Sequence, residues 1–229
     1  MKTIGLIGGM SWESSAEYYR IINEEVKHRL GGLHSAKCLL YSLDFAEIER
    51  YQAEGEWEKA GKLLGGVACS LQKAGADFIV ICTNTMHKII DYIEANISIP
   101  VLHIADATAV QIKTSNLVKV GLLGTRYTME QDFYKSRLES KGIKVFVPNQ
   151  TEREQINKVI YDELCLGNIQ QSSRAYFKQV INRLVDQGAE GIILGCTEIG
   201  LLIKPGDANV PLFDTTLIHA VESVTKALE

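Results

Sequence analysis

The sequence predicts an α/β fold of two pseudo-twofold-related domains, each a parallel sheet flanked by helices, with the functional site in the cleft between them. Three observations predict it. Short aliphatic, β-branched runs alternate along the 229 residues with segments of helical periodicity, the pattern of strand–helix–strand units. The stretches "FIVICTNTMHKII" (78–90) and "GIILGCTEIGLLI" (191–203) align without a gap at an offset of 113 residues, placing Gly75-Ala76-Asp77 over Gly188-Ala189-Glu190 and Thr83 over Cys196. "TIGLIGG" (3–9) is echoed by "KVGLLGT" (119–125) at an offset of 116. The expected division is 1–105 plus 206–229 for the first domain and 106–205 for the second.

Taken in order, "TIGLIGG" reads as a buried strand, and Ser11 as the cap of a helix over "WESSAEYYRIINEEVKHRL". Gly5, Gly8 and Gly9 give G-x-x-G-G and not the G-x-G-x-x-G of a dinucleotide fold, so nucleotide binding is not supported. "KCLLYSLDF" (37–45) is a second strand, and Trp57, Ala60, Leu63, Leu64, Val67 and Leu71 form one apolar helical face. The strand and polar elbow at 78–85 follow, then a helix to about Asn96 and a strand in "IPVLHIAD". The pattern then restarts. A helix near 107–114 precedes "KVGLLGT", "TMEQDFYKSRLESKGIKVFVP" reads as helix, Gly142 stop and strand, and two helices run through "NKVIYDELCLG" and "SSRAYFKQVINRLVDQG". After the second elbow, "VPLFDT" (210–215) matches "IPVLHIAD", and a helix ends the chain.

Bulk properties exclude several functional classes. Charge is spread along the chain and sums to -4, leaving no basic stripe for nucleic acid and no polybasic helix for a membrane surface. No run reaches the roughly 18 apolar residues of a membrane helix, and the start reads as a strand and not a signal peptide. Five cysteines without regular spacing point to a reducing compartment, hence the cytosol.

Ligands of open parallel sheets bind beyond the carboxyl ends of the strands, where both elbows fall. A helix starting after each elbow would aim free N–H groups at a small anion and lower the pKa of a nearby thiol from about 8.5. Cys196, beside Thr197 and Glu198 at a strand end, therefore has the setting of a reactive cysteine; the alternative is a small buried residue.

"TNTMH" (83–87) resembles the C-N-T-x-H motif of the aspartate/glutamate racemase family, and "GCTE" (195–198) its second cysteine motif. With "IGLIGGMS" at the start, the resemblance spans the chain in the right order. It implies a racemase without cofactor or metal, acting on a small amino acid and usually homodimeric, in which two cysteines flank the substrate Cα. Inversion through a planar carbanion needs an acid and a base on opposite faces, which a pseudo-twofold supplies. On this resemblance Cys196 and the position of Thr83 are catalytic, Asn84, Thr85 and Thr197 hold the carboxylate, Met10 and Ser11 line the pocket, and His87 and Glu198 are candidates for tuning. A His87 simply packed on the sheet is the equal alternative.

The sequence departs from the family at Thr83, where the first cysteine is expected. Neighbouring Cys82 aligns with Gly195 and is expected in the core. An alcohol is a far poorer base than a thiol at neutral pH, so Cys196 is expected to abstract the proton while Thr83, or water held by it, returns one. Substrate choice is open as well: the segments expected to supply a cation for an acidic side chain offer Phe45, Ala46 and Cys165, and Arg126 is either a substitute or a surface residue. Single-cysteine relatives that decarboxylate malonates, isomerise maleate or racemise hydantoins are the competing chemistry, and a non-catalytic module binding a small carboxylate is the competing class.

Overall fold

The computed structural model describes all residues, 1–229. They form two compact units, Met1–Ile104 with His219–Glu229, and Ala105–Ile218.

The first unit contains β1 (Ile4–Gly8), α1 (Trp12–Leu30), β2 (Cys38–Ser42), α2 (Phe45–Ala53), α3 (Trp57–Lys73), β3 (Phe78–Ile81), a 3-10 turn (Thr85–Ile89), α4 (Ile90–Glu94) and β4 (Val101–Leu102). The sheet order is β2-β1-β3-β4, parallel throughout. Ile4, Leu6, Ile7 and all of Phe78–Ile81 are fully buried. At about 1.5–3 kcal/mol for each large side chain removed from water, these central strands dominate the unit's stability. One face packs on α2, α3 and the 3-10 turn through Ile48, Leu64, Ala68 and Met86. The other packs on α1 through Tyr18, Ile22 and Val26, and on the returning C-terminal helix through Ala220 and Val224.

α5 (Ile104–Thr114) begins at the last residue before the second unit. That unit contains β5 (Lys119–Gly124), α6 (Arg126–Glu130), α7 (Asp132–Glu139), β6 (Lys144–Phe146), α8 (Gln150–Asp162), a 3-10 turn (Leu164–Leu166), α9 (Gln171–Asp186), β7 (Gly191–Gly195), α10 (Ile199–Leu202) and β8 (Leu212–Asp214). Its parallel sheet, β6-β5-β7-β8, repeats the order of the first. The registers repeat too. Gly5 pairs with Ile79 and Gly121 with Ile192, the residues that the two offsets superimpose. A Cβ on Gly5 would lie 2.8 Å from Ile79 Cδ1, and one on Gly121 2.6 Å from Ile192 Cδ1. α11 (Thr215–Leu228) carries the chain back into the first unit.

The structure departs from the sequence reading in several places. Residues 206–218, read as part of the first domain, belong to the second unit, because β8 pairs with β7 just as β4 pairs with β3. The helix expected up to Asn96 is instead a 3-10 turn and five residues of α4. α2, capped by Asp44, is additional, and the single helix read from Thr128 to Gly142 is two, α6, capped by Thr125, and α7. α8 starts at Gln150, where Asn149 and Glu152 form a capping box. No helix is long and apolar enough to cross a membrane.

Candidate active site

In the first unit, the loop after β1 and the elbow after β3 are stitched together by hydroxyl groups. Gly9 N–H donates to Ser15 Oγ (2.7 Å), and Ser15 Oγ–H donates to the Ser11 carbonyl (3.0 Å). Ser11 Oγ accepts from Ser14 N–H (3.3 Å), capping α1 as expected. Ser14 Oγ–H reaches across to the Cys82 carbonyl (2.9 Å), which fixes the elbow to the start of α1. Cys82 N–H still bonds to Ile7 O (2.9 Å), so the ladder continues one residue past β3 and directs the Cys82 side chain into the apolar cluster with Tyr18 and Val80. Burial pushes its thiol pKa up, as befits the core residue the sequence predicts.

Thr83 is the partly exposed residue of this elbow, between buried Cys82 and buried Asn84 and Thr85. Met10 is buried among Ile7, Ile48 and Met86, and Ser11 is occupied as a cap. His87 is also buried. Its Nδ1 lies 2.9 Å from the Thr83 carbonyl, and its Nε2 accepts from Ile104 N–H at 3.3 Å. Because the backbone donor fixes Nε2 as the acceptor, Nδ1 carries the proton. Burial, followed by the nearby His103 and His219, pushes the His87 pKa well below its ordinary value. Its contact with the elbow is therefore to the main chain of Thr83.

In the second unit Cys196 follows β7, 8% exposed. Its Sγ–H donates to Glu198 Oε2 at 3.0 Å, and Thr197 Oγ1–H donates to the same oxygen at 2.6 Å. Glu198 is itself buried. The thiol pKa is pushed well above its ordinary value, first by burial and then by the adjacent carboxylate. This reverses the expected direction. α10 has only four residues and the first elbow runs into a 3-10 turn, so neither supplies the aligned peptide dipoles on which that expectation relied. What the geometry supplies is a thiol with a proton acceptor already in place. Transfer from Sγ to Glu198 leaves the net charge of the pair unchanged, the form of proton movement that a buried site penalises least.

Sequence reasoning missed the hydroxyls of Ser14 and Ser15 and a threonine pair. Thr125 Oγ1 caps α6 and lies 3.2 Å from Thr128 Oγ1. Thr128 abuts β7 where it leads into Cys196: a Cβ on Gly195 would lie 3.5 Å from its Cγ2. The 116-residue offset, which sets Thr125 over Gly9, was the available signal. Arg126 is 55% exposed and 3.8 Å from Glu130, a surface arrangement. No group of three or more His, Cys, Asp or Glu side chains is placed to hold a metal ion.

Comparison with known proteins gives concordant results. The family description Asp/Glu/Hydantoin racemase matches residues 7–223. The broad specificity amino-acid racemase RacX of Bacillus subtilis is 27% identical over 229 residues, covering 98% of each chain. The structure of an aspartate racemase homologue from Pyrococcus horikoshii superimposes with a TM-score of 0.87 at 37% identity, covering 100% of both chains. A Yersinia pestis protein, provisionally described from its crystal structure as an Asp/Glu racemase, gives 0.94 at 60% identity, again with 100% of both chains covered. The chain belongs to the Asp/Glu/Hydantoin racemase family.

Proposed function

We propose that this protein is a cofactor-independent amino-acid racemase that removes and returns the substrate Cα proton, with Cys196 as the principal acid/base. The observation that carries this reading is the Cys196 thiol hydrogen-bonded to buried Glu198 at the end of β7. Glu198 takes the thiol proton as the thiolate attacks Cα–H, and the positive ammonium of a bound amino acid favours the separated form. Thr83, or water on its hydroxyl, serves the opposite face. Main-chain and side-chain donors of Asn84 and Thr85 hold the carboxylate and stabilise the charge that develops on it. Thr197 assists from the other elbow; because its proton is engaged by Glu198, its part in binding begins only when that proton is redirected.

The two enantiomers have equal free energy in water, so kcat/KM is equal in both directions whatever the two bases are. A weak base on one face slows both. Cα-proton exchange then outruns inversion for the enantiomer that presents its proton to Cys196. An acidic amino acid is the family default. The absence of a basic side chain at Phe45, Ala46 and Cys165, together with the broad specificity for which the RacX relative is named, favours a range that extends to neutral substrates. A cytosolic homodimer completes the reading; light scattering of the purified chain tests the assembly.

A panel of D- and L-amino acids in D2O tests the function, with loss of the Cα–H signal followed by NMR and inversion by chiral chromatography. Deuterium incorporation with slower inversion supports it. Saturable binding without incorporation for any substrate selects the non-catalytic carboxylate-binding module, which Thr83 in place of a thiol specifically favours. Loss of carbon dioxide from a malonate, seen by mass, selects the decarboxylase chemistry.

A further inference from the structure

Three of the five histidines lie buried together in the first unit: His87 (1% exposed), His103 (4%) and His219 (0%). The His87 ring centroid is 4.5 Å from that of His103 and 5.8 Å from that of His219. Main-chain partners fix two of the tautomers. His87 accepts from Ile104 N–H and donates from Nδ1 to the Thr83 carbonyl. His219 Nε2 faces the Leu102 carbonyl at 2.9 Å and can only donate there, so its Nδ1 accepts the Tyr18 hydroxyl proton at 2.8 Å. The position of these partners in the chain gives the cluster its interest. The first unit ends at Ile104 and resumes at His219. Leu102 and Ile104 are thus held at the exit, His219 is itself the re-entry, and Thr83 is the elbow residue.

We propose that His87 and His219 are positioning residues: two neutral imidazoles bracing the Thr83 turn against the segments where the chain leaves and re-enters the first unit, and releasing it when protonated. The chemistry is specific. A second proton on His87 can go only to Nε2, where it meets the Ile104 N–H head-on, and a second proton on His219 can go only to Nδ1, which turns from acceptor to donor and forces the Tyr18 hydroxyl out of its donor orientation. The titratable groups packed around the two rings are His103, Tyr18 from α1 and Cys82 at the end of β3. None is an anion below pH 8, and neither ring is paired with a carboxylate, so an added charge stays uncompensated. Burial lowers the His219 pKa to about 4, which sets the acid limit of the brace.

Hydrogen exchange of the full chain, followed by mass spectrometry from pD 7 to pD 4 and corrected for intrinsic rates, tests the proposal. Peptides spanning Thr83–His87 and Leu102–Ile104 should lose protection together, by roughly tenfold or more, while those covering β5 and β7 hold theirs. In His219→Gln the amide can still donate to Leu102 but does not titrate, and the pD response of both segments should shrink to roughly threefold or less. His87→Asn retains a donor for Thr83 and loses the acceptor for Ile104, so the exit segment should be unprotected already at pD 7. Loss of protection in all peptides at once, independent behaviour of the two segments, or an unchanged response in His219→Gln each overturns the brace. Circular dichroism of the variants verifies their folding, and the wild-type pD series stands as a test without them. The readout needs no turnover, so a failed racemase reading and a failed brace are distinguishable. With turnover in hand, His87→Asn should lower kcat roughly tenfold to a hundredfold at pH 8 with little change in KM, the mark of a misplaced group and not of lost binding.

Discussion

Gly9→Ala should damage the first unit far more than a substitution of the same kind at another left-handed glycine. Gly9 has φ +87°, and a Cβ there would lie 2.1 Å from the Leu43 carbonyl oxygen and 2.4 Å from the Leu43 nitrogen. Both obstacles are main chain, and the Leu43 N–H is held by the Gly8 carbonyl at 3.0 Å, so neither can step aside alone. Gly55, in the same unit, has φ +73° and nothing within 4 Å of its Cβ position. The left-handed backbone costs an alanine about 1–2 kcal/mol at either site. Displacing packed main chain adds roughly 1–3 kcal/mol or more at Gly9 only. Both tryptophans, Trp12 and Trp57, lie in this unit, so their fluorescence in urea reports on it. With a slope of about 1–3 kcal/mol per molar urea, the Gly9→Ala midpoint should fall about 1 M further than that of Gly55→Ala. Equal shifts would refute the reasoning, because the two sites differ in the space around Cβ and hardly in φ. Gly9→Ala should also lower turnover, since the loop it displaces leads directly into Met10 and Ser11.

Other perturbations follow from single contacts. Glu198→Gln removes a negative charge and a proton acceptor beside Cys196, so the thiol pKa should fall and alkylation of the Cys196 peptide at pH 8, followed by mass spectrometry, should speed up; slower alkylation counts against the assignment. Asp207 accepts from Lys204 N–H at 2.9 Å and pairs with Arg174 (2.8 Å) and Lys178 (3.2 Å), anchoring the loop before β8 to α9. Asp207→Asn should cost about 2 kcal/mol in a urea titration. These partners lower the Asp207 pKa from 3.8 to about 2, so its contribution is complete above pH 3.8 and is lost as the pH falls through 2. His219 imposes a window at higher pH. Its pKa is about 4 in the folded chain against an ordinary 6.5, so the unfolded chain binds the proton first as the pH drops. Stability is full above pH 6.5 and declines toward pH 4 by roughly 3 kcal/mol in total, a slope that His219→Gln should remove.

Much of the architecture was legible in the sequence because its signals are local. β1, β3, β5 and β7 are aliphatic runs closed by glycine or polar residues, and the two offsets carried the strand register from one half to the other. Short pieces were harder. β4 has two residues and β8 three, too few for periodicity, and they were read as strands through the match of "VPLFDT" to "IPVLHIAD"; α2 lay in a segment read only for the cation it lacked and was missed. At the candidate site, the core placement of Cys82 was legible, and Thr83 and Cys196 lie just past the ends of β3 and β7 as the aligned elbows predicted. The direction of the Cys196 pKa was not legible, since it depends on the reach of the Glu198 carboxylate back to Sγ and on helix lengths that composition does not set. The histidine cluster was invisible for another reason: His219 meets Tyr18 across 201 residues and Leu102 across 117, and no local pattern announces such contacts.

The central claim is that Cys196 moves the Cα proton, and the rate of Cα deuteration of D- and L-aspartate in D2O by Cys196→Ala, set against the wild type, tests it most directly. Removal of a general acid/base costs about 10²–10⁴-fold, so deuteration of the enantiomer that presents its proton to Cys196, and inversion in both directions, should fall by that order while circular dichroism is unchanged. Deuteration of both enantiomers remaining at rates close to those of the wild type would contradict the account and assign the proton to another group.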